Sequence, residues 1–368
     1  MEENKTASAE KFSYTSSIDA DVWHRKTKPD AFEWWYFDAL SDNGRDAVVI
    51  IFLDNFVFSP RYNSRLNRRK NKLLGDNSEQ FLRHPAVAFI YYRNGKPIYR
   101  GINEYLKADF SASEDSPSCS IGGNSFKLES APYGSGYVLS INVKLSKKRT
   151  LKANFEWLSI EGDFLASKTA SFDEAHYWNL VSSRSDVTGS IKIEDKRGKL
   201  VDTVSFRGTG YHDHNADNRW LPKTVQDWQW GRAHFSDSSA IFYRYQEIGE
   251  PKATTKLFII RDGQLLEYDA EYEAQNPARN IFGIKYPKRI EFQTADNIRL
   301  RVKQNRVIDQ SFFYLRFLSE ITLTLRDGKP RKTVGITEYL HPKTLKFRWL
   351  DWLVNMRIGR NGRGALLR

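Results

Sequence analysis

Short apolar or alternating runs, each ended by turn residues, recur along most of the chain. DAVVIIFLDNFVF (46–58) is almost continuously apolar and β-branched, the pattern of a strand covered on both faces, and it stops at Ser59-Pro60. PAVAFIYYRNGKPIYRG (85–101) is two such runs about Asn94-Gly95, a hairpin signal. The strand–turn–strand form returns in GSIKIEDKRGKLVDTVSFRGTG (189–210), SSAIFYRYQ (238–246) and KLFIIRDGQLLEYDAEY (256–272), then in KRIEFQTADNIRLRVKQ (288–304) and EITLTLRDGKPRKTVGITEYL (320–340). Nothing alternates strand with helix, which argues against a doubly wound parallel sheet and for an all-β chain. So many antiparallel strands need closed edges, as barrels and sandwiches provide. About 340 residues of this pattern exceed one small barrel, so two antiparallel β-domains are expected. Residues 1–20 read as a flexible tail, and the charged, Pro/Gly-containing GEPKATTK (249–256) as the divide between a domain at 21–248 and one at 249–368.

The period changes only near the end. In PKTLKFRWLDWLVNMRIGR (342–360), Leu345, Trp349, Trp352, Leu353 and Met356 share one helical face, flanked by Lys346, Arg348 and Arg357. A helix capping a barrel mouth and a basic amphipathic helix on a membrane surface both fit. Asp351 interrupts the charge and favours the cap.

Composition sharpens this picture. Ten Trp, 18 Tyr and 23 Phe imply aromatic-rich cores or an aromatic-lined cavity. The formal net charge of +12 would suit an acidic partner, but it is spread out, and nucleic acid is not expected. Its densest run, RLNRRKNK (65–72), reads as a solvated loop. The single Cys119 excludes an internal disulfide framework or thiolate cluster. The polar N-terminus and the lack of any long apolar run point to a cytoplasmic protein.

Chemistry concentrates in FRGTGYHDHN (206–215). On a strand, Tyr211, Asp213 and Asn215 take one face, His212 and His214 the other. The two histidines could ligate a metal, yet no third ligand among His84, His176, His234, His341 and the carboxylates stands at a telling spacing, so this reading is the weaker. The alternative is acid–base: a carboxyl pressed among rings loses hydration, its pKa rises, and it can donate a proton near neutral pH. Rings for such a cavity stand in EWWYFD (33–38), with Trp34, Trp35 and Tyr36, in HYW (176–178), with His176 and Trp178, and in WQWGRAHF (228–235), with Trp228, Trp230 and Arg232 on one face. Ordinary aromatic packing competes with each cluster taken singly. Together with Asp213 they suit protonation of an alkene and shelter of the resulting cation by π-faces, or a pericyclic step governed by shape.

These stretches, in order, resemble the hydroxyneurosporene synthase (carotenoid 1,2-hydratase) family, which takes in AttH-like proteins. Fungal decalin-forming Diels–Alderases are more distantly similar in fold. The resemblance runs through EWWYFDALSDNGRDAVVIIFLDNFVFSPRYN (33–63), HPAVAFIYY (84–92), HYWNLV (176–181), GSIKI (189–193), GYHDHN (210–215), DWQWGRAHF (227–235) and ITEYLHPKTLKFRWLDWLVNMRI (336–358). It implies two lipocalin-like domains, an apolar cavity, no metal and no cofactor. By the same resemblance Asp213 is the proton donor, Tyr211 and Trp178 stabilise the cation, and His176 orients or activates water. Ala216-Asp217-Asn218 after the signature and the basic segment at 64–80 depart from the family pattern, and bear on the substrate more than on the fold. The expected activity is cofactor-independent hydration of an apolar isoprenoid or polyene. A cyclase or Diels–Alderase in the same cavity, and a carrier without catalysis, are the alternatives.

Overall fold

The computed structural model describes residues 12–26, 28–71, 83–131, 134–165, 176–360 and 363–367. It is all-β, in two units. The first is a thirteen-stranded sheet. At its centre the strand Phe32–Ser41 pairs antiparallel with Leu200–Asp217, which pairs in turn with His176–Glu194. The sheet curls until side chains from distant strands meet, so that Phe37, Phe89, Phe126 and Trp157 share one core. The second unit is a closed barrel of eight consecutive strands, from Val225–His234 to Pro330–Leu340. Its first strand pairs with its last, Trp230 opposite Glu338, which removes the free edges that an open sheet would expose.

The two units also share a core between them. Trp34, Tyr36, Trp178 and Tyr211 from the sheet pack there with Trp228, Trp230 and Tyr243 from the barrel. This explains why EWWYFD shows no polar alternation. Trp34 and Tyr36 enter the shared core, Trp35 and Phe37 enter the sheet's own core, and neither face meets water.

Several expectations change. Residues 1–11 lie outside the described residues, but Phe12–Thr15, within the expected tail, is a strand lying parallel on His176–Glu194. The chain passes from sheet to barrel between Asp217 and Val225, and GEPKATTK runs from the turn after the barrel strand Ser239–Glu247 into the next, Thr254–Arg261. The basic run at 65–72 belongs, through Asn71, to a helix, Pro60–Asn71. Pro60 suits a first helical turn, and Ser59 Oγ accepts from the Arg61 N–H. The helix expected over 342–360 is broken into two 3₁₀ turns, Pro342–Lys346 and Arg348–Leu350, and a short α-helix, Asp351–Asn355. Leu345 and Leu350 are both buried, whereas a continuous helix would point residues five apart about 140° away from each other. The chain buries both by turning extended at Phe347 (φ −86°, ψ 97°). Gly359–Arg360 then pairs with Lys96–Glu104 at the edge of the first sheet. No described helix is long and apolar enough to cross a membrane.

The glycines of the 206–215 stretch have a steric reason. A Cβ at Gly208 would lie 2.1 Å from the Leu40 carbonyl oxygen, and one at Gly210 would lie 2.5 Å from the Trp157 indole nitrogen. We therefore expect Gly208→Ala to cost about 1–3 kcal/mol of stability through overpacking. The readout is the urea midpoint at unchanged slope; an unmoved midpoint would show that the strands separate freely there.

Candidate functional site

The strand Leu200–Asp217 works through both faces. Toward the barrel it presents Tyr211, Asp213 and Asn215, and Asp213 and Asn215 reach the wall of a cavity between the two units. The space open to the centre of a water molecule there is about 190 Å³. Trp34 and Tyr36 line it from the sheet, and Trp228, Trp230 and Glu338 from the barrel. The register explains the grouping: Asp213 lies opposite Tyr36, Asn215 opposite Trp34, and Trp230 opposite Glu338.

Asp213 is held by three donors. Its Oδ2 accepts from Trp178 Nε1 at 3.0 Å and from the Tyr211 hydroxyl at 2.8 Å, and its Oδ1 accepts from Asn215 Nδ2 at 2.9 Å. Burial pushes this carboxyl up to about 7. The Trp178 and Tyr211 donors pull the other way without prevailing, while the charges of Glu338 and Asp38 add to the rise. The group thus exchanges its proton near neutrality, facing an aromatic wall. Glu338 accepts from the Tyr36 hydroxyl at 2.9 Å and from Arg316 Nε at 2.8 Å, so a second carboxylate on the wall is fixed by a buried guanidinium.

The remaining candidates stand elsewhere. Tyr211 and Trp178 touch the carboxyl of Asp213 from within the shared core. His176 does not line the cavity: its Nε2 is 2.6 Å from the Tyr243 hydroxyl, and its ring stacks on Tyr245. Tyr243 donates in turn to Asn215 Oδ1 at 3.4 Å, and the His176 ring packs edge-on against Trp228, so His176 stands directly behind the cavity wall. Trp35, one residue out of phase with Trp34 and Tyr36, turns the other way and stacks on His214. Arg232 is absent from the cavity wall because it is spent on Asp38 across the two units, with Nε 2.8 Å from Oδ1. Sequence reasoning missed Glu338 and Arg316, whose pairing depends on barrel closure. Asn215 was placed on the right face by alternation but given no role.

The other face of the strand is a buried charge network. His212 lies flat on Phe37, with Nε2 2.9 Å from Asp21 Oδ2, and the Tyr137 hydroxyl donates to the same oxygen. His214 sits between Asp21 (Nδ1 to Oδ1, 3.0 Å) and Glu33 (Nε2 to Oε1, 2.7 Å). His24 Nδ1 meets that same Glu33 oxygen at 2.7 Å. His24, Glu33 and His214 are the described residues whose ligand atoms come within 4.8 Å of one another, as a metal site would need, and Glu33 Oε1 lies 2.7 Å from a ring nitrogen of each histidine. Burial alone would lower His214, but the charge of Glu33 and hydrogen bonds to Asp21 and Glu33 raise it to about 9. Burial alone would raise Asp21, but the His212 charge and bonds to both histidines hold it at about 2.

Residues 165–366, more than half of the chain, match the family model of the carotenoid hydratase CrtC. The chain belongs to this family. It is 27% identical over 354 residues to a hydroxyneurosporene dehydrogenase of Chlorobaculum tepidum, covering 94% of this chain and 92% of the relative. Among solved structures it is similar to a protein described as AttH from Nitrosomonas europaea, with TM-score 0.56 and 14% identity over 88% of this chain and 95% of the other. It is similar too to CghA bound to Sch210972, with TM-score 0.53 and 12% identity over 91% and 96%. At these identities the two structures speak for the shared fold.

The His214 network generates a pH prediction. His214 is raised in the folded state from an unfolded value of about 6.5, so its contribution is complete below that value and is lost as pH rises through about 9. We expect stability to fall by on the order of 2–3 kcal/mol between those limits. His214→Gln should be less stable by about 3–5 kcal/mol at neutral pH, because it strands buried carboxylates, and should lose most of that decline. Urea unfolding across this pH range reads both; a variant with the wild-type slope would contradict the assignment.

Proposed function

We propose that this protein hydrates a terminal isoprenoid double bond of an apolar polyene by protonation and cation capture, with Asp213 as the proton donor. The observation that carries this reading is a carboxyl with a pKa of about 7 on a mainly apolar wall, whose other carboxylates, Glu338 and Asp309, are each paired with an arginine. The protonated carboxyl gives its hydrogen to the less substituted alkene carbon, a C–H bond forms, and positive charge develops on the tertiary carbon. Trp34, Tyr36, Trp228 and Trp230 offer π-faces to that charge, and Glu338 offers a fixed negative group. Water then forms the C–O bond, and its surplus proton returns to the Asp213 carboxylate, which restores the starting state without an added cofactor. Asn215, beside Asp213 on the wall, positions the water. Tyr211 and Trp178 aim the carboxyl and keep its pKa from rising further. His176 acts through Tyr243 and Asn215 as a positioning residue.

The family supports an enzyme of the carotenoid-hydratase kind. The name of the relative, a dehydrogenase, denotes hydride removal instead. Formation of a carbon–oxygen bond, traced with oxygen-labelled water, distinguishes the two. We expect an acyclic carotene to gain one labelled hydroxyl with the wild-type protein and no added oxidant. Asp213→Asn should lose roughly 10²–10⁴-fold in rate while still binding the polyene. It should be at least as stable as wild type at pH above about 7, where the native protein carries a buried carboxylate. A variant with the wild-type rate would remove Asp213 as donor and favour cyclisation governed by cavity shape. Binding without turnover by either protein would favour a carrier.

A further inference from the structure

The broken C-terminal segment leaves an unusual surface. Trp349 is 73% exposed, Trp352 55% and Phe347 48%, and these are the aromatic residues among the large exposed apolar side chains of the described chain. Rings of this size seldom face water without a partner. Basic groups flank them. Lys343 and Arg348 are exposed. Burial, and then the ammonium groups of Lys223 and Lys343, push Lys346 below its ordinary value, which brings the three lysines within electrostatic reach of one another. Asp351, the acid that interrupts this charge in the sequence, is half-buried, and its Oδ2 accepts at 3.3 Å from Ser64 on the helix Pro60–Asn71. The outward side is therefore aromatic and cationic together.

Its position adds a third observation. Leu353 and Val354, on the same short helix as Trp352, line the cavity, as does Arg357 just beyond. One five-residue helix separates the apolar cavity from the exposed rings. Leu367, whose N–H donates to the Met356 carbonyl, brings itself and Leu366 to the end of that helix, and both are exposed.

We propose that Phe347, Trp349 and Trp352, with Lys343, Lys346 and Arg348 around them, form a docking surface for an anionic phospholipid bilayer, and that the apolar ligand passes between bilayer and cavity beside the helix Asp351–Asn355. Aromatic rings favour the headgroup level, and lysine and arginine favour anionic lipid. A bilayer also holds polyenes that water does not. The docking surface stands by itself, whereas the passage of ligand rests on the proposed function.

The test uses the full chain with vesicles of phosphatidylcholine alone and with added phosphatidylglycerol. The wild type should co-sediment with the anionic vesicles and far less with the neutral ones. Phe347→Ala, Trp349→Ala and Trp352→Ala together should lower that partition at least tenfold with an unchanged melting temperature, since all three side chains are exposed. Lys343→Ala and Lys346→Ala should lower it roughly five-fold per lysine. With substrate supplied in vesicles the aromatic variant should turn over more slowly than wild type, and with substrate in detergent at the same rate. A wild type that ignores anionic vesicles, or an aromatic variant that binds them as well as wild type, overturns the proposal. So does a wild-type dimer that the aromatic variant converts to monomer, which would make the surface a self-association face. Vesicle binding is read without turnover, so an inactive protein that still binds vesicles counts against the proposed hydration alone.

Discussion

The withdrawal of one carboxyl group from water is the constraint on which the site depends. Asp213 is buried on the wall of a cavity lined by both the curled sheet and the barrel, with its three hydrogen-bond donors on the sheet. A carboxylate there lacks hydration that three hydrogen-bond donors do not fully replace. The rise to about 7 corresponds to a bias of on the order of 4 kcal/mol toward the neutral acid. A lone strand or a single barrel could not impose this. The Trp and Tyr rings that exclude water come from Trp34 and Tyr36 on one side and Trp228 and Trp230 on the other, so the acid is made by the apposition of the units.

The two faces of Leu200–Asp217 divide the labour. A one-residue slip would carry His212 and His214 to the cavity and Asp213 into the charge network. The network guards against this by pairing the histidines with Asp21 and Glu33, which lie far away in sequence. Gly208 and Gly210 let the same strand lie close against Leu40 and Trp157. Register, charge and close packing thus all specify which side chains meet the ligand.

Much of this was legible in the sequence because it depends on period two. Alternation alone separated Tyr211, Asp213 and Asn215 from the histidines, and the repeated strand–turn–strand pattern gave an all-β chain. What was not legible depends on partners distant in the chain. Trp35 and Trp34 look alike until two different cores claim them. Arg232 shares a face with Trp228 and Trp230, yet its charge is consumed by Asp38, some 194 positions away. His176 adjoins Trp178 in period but meets Tyr243 of the barrel, and Glu338 gains its place from barrel closure. A C-terminal helix is present, but its short length was not legible, because periodicity does not report that Leu345 and Leu350 must be buried together.

Proton donation at this site requires that Asp213 keep its proton up to about neutrality, about three units beyond an ordinary aspartate. Infrared difference spectra between wild type and Asp213→Asn, taken across a pH titration, isolate this one carbonyl band from the chain's other carboxyl groups. A protonated-acid band that disappears with a midpoint of about 7 is expected. A midpoint near the ordinary aspartate value of about 4 would contradict it and leave the aromatic cavity without its acid.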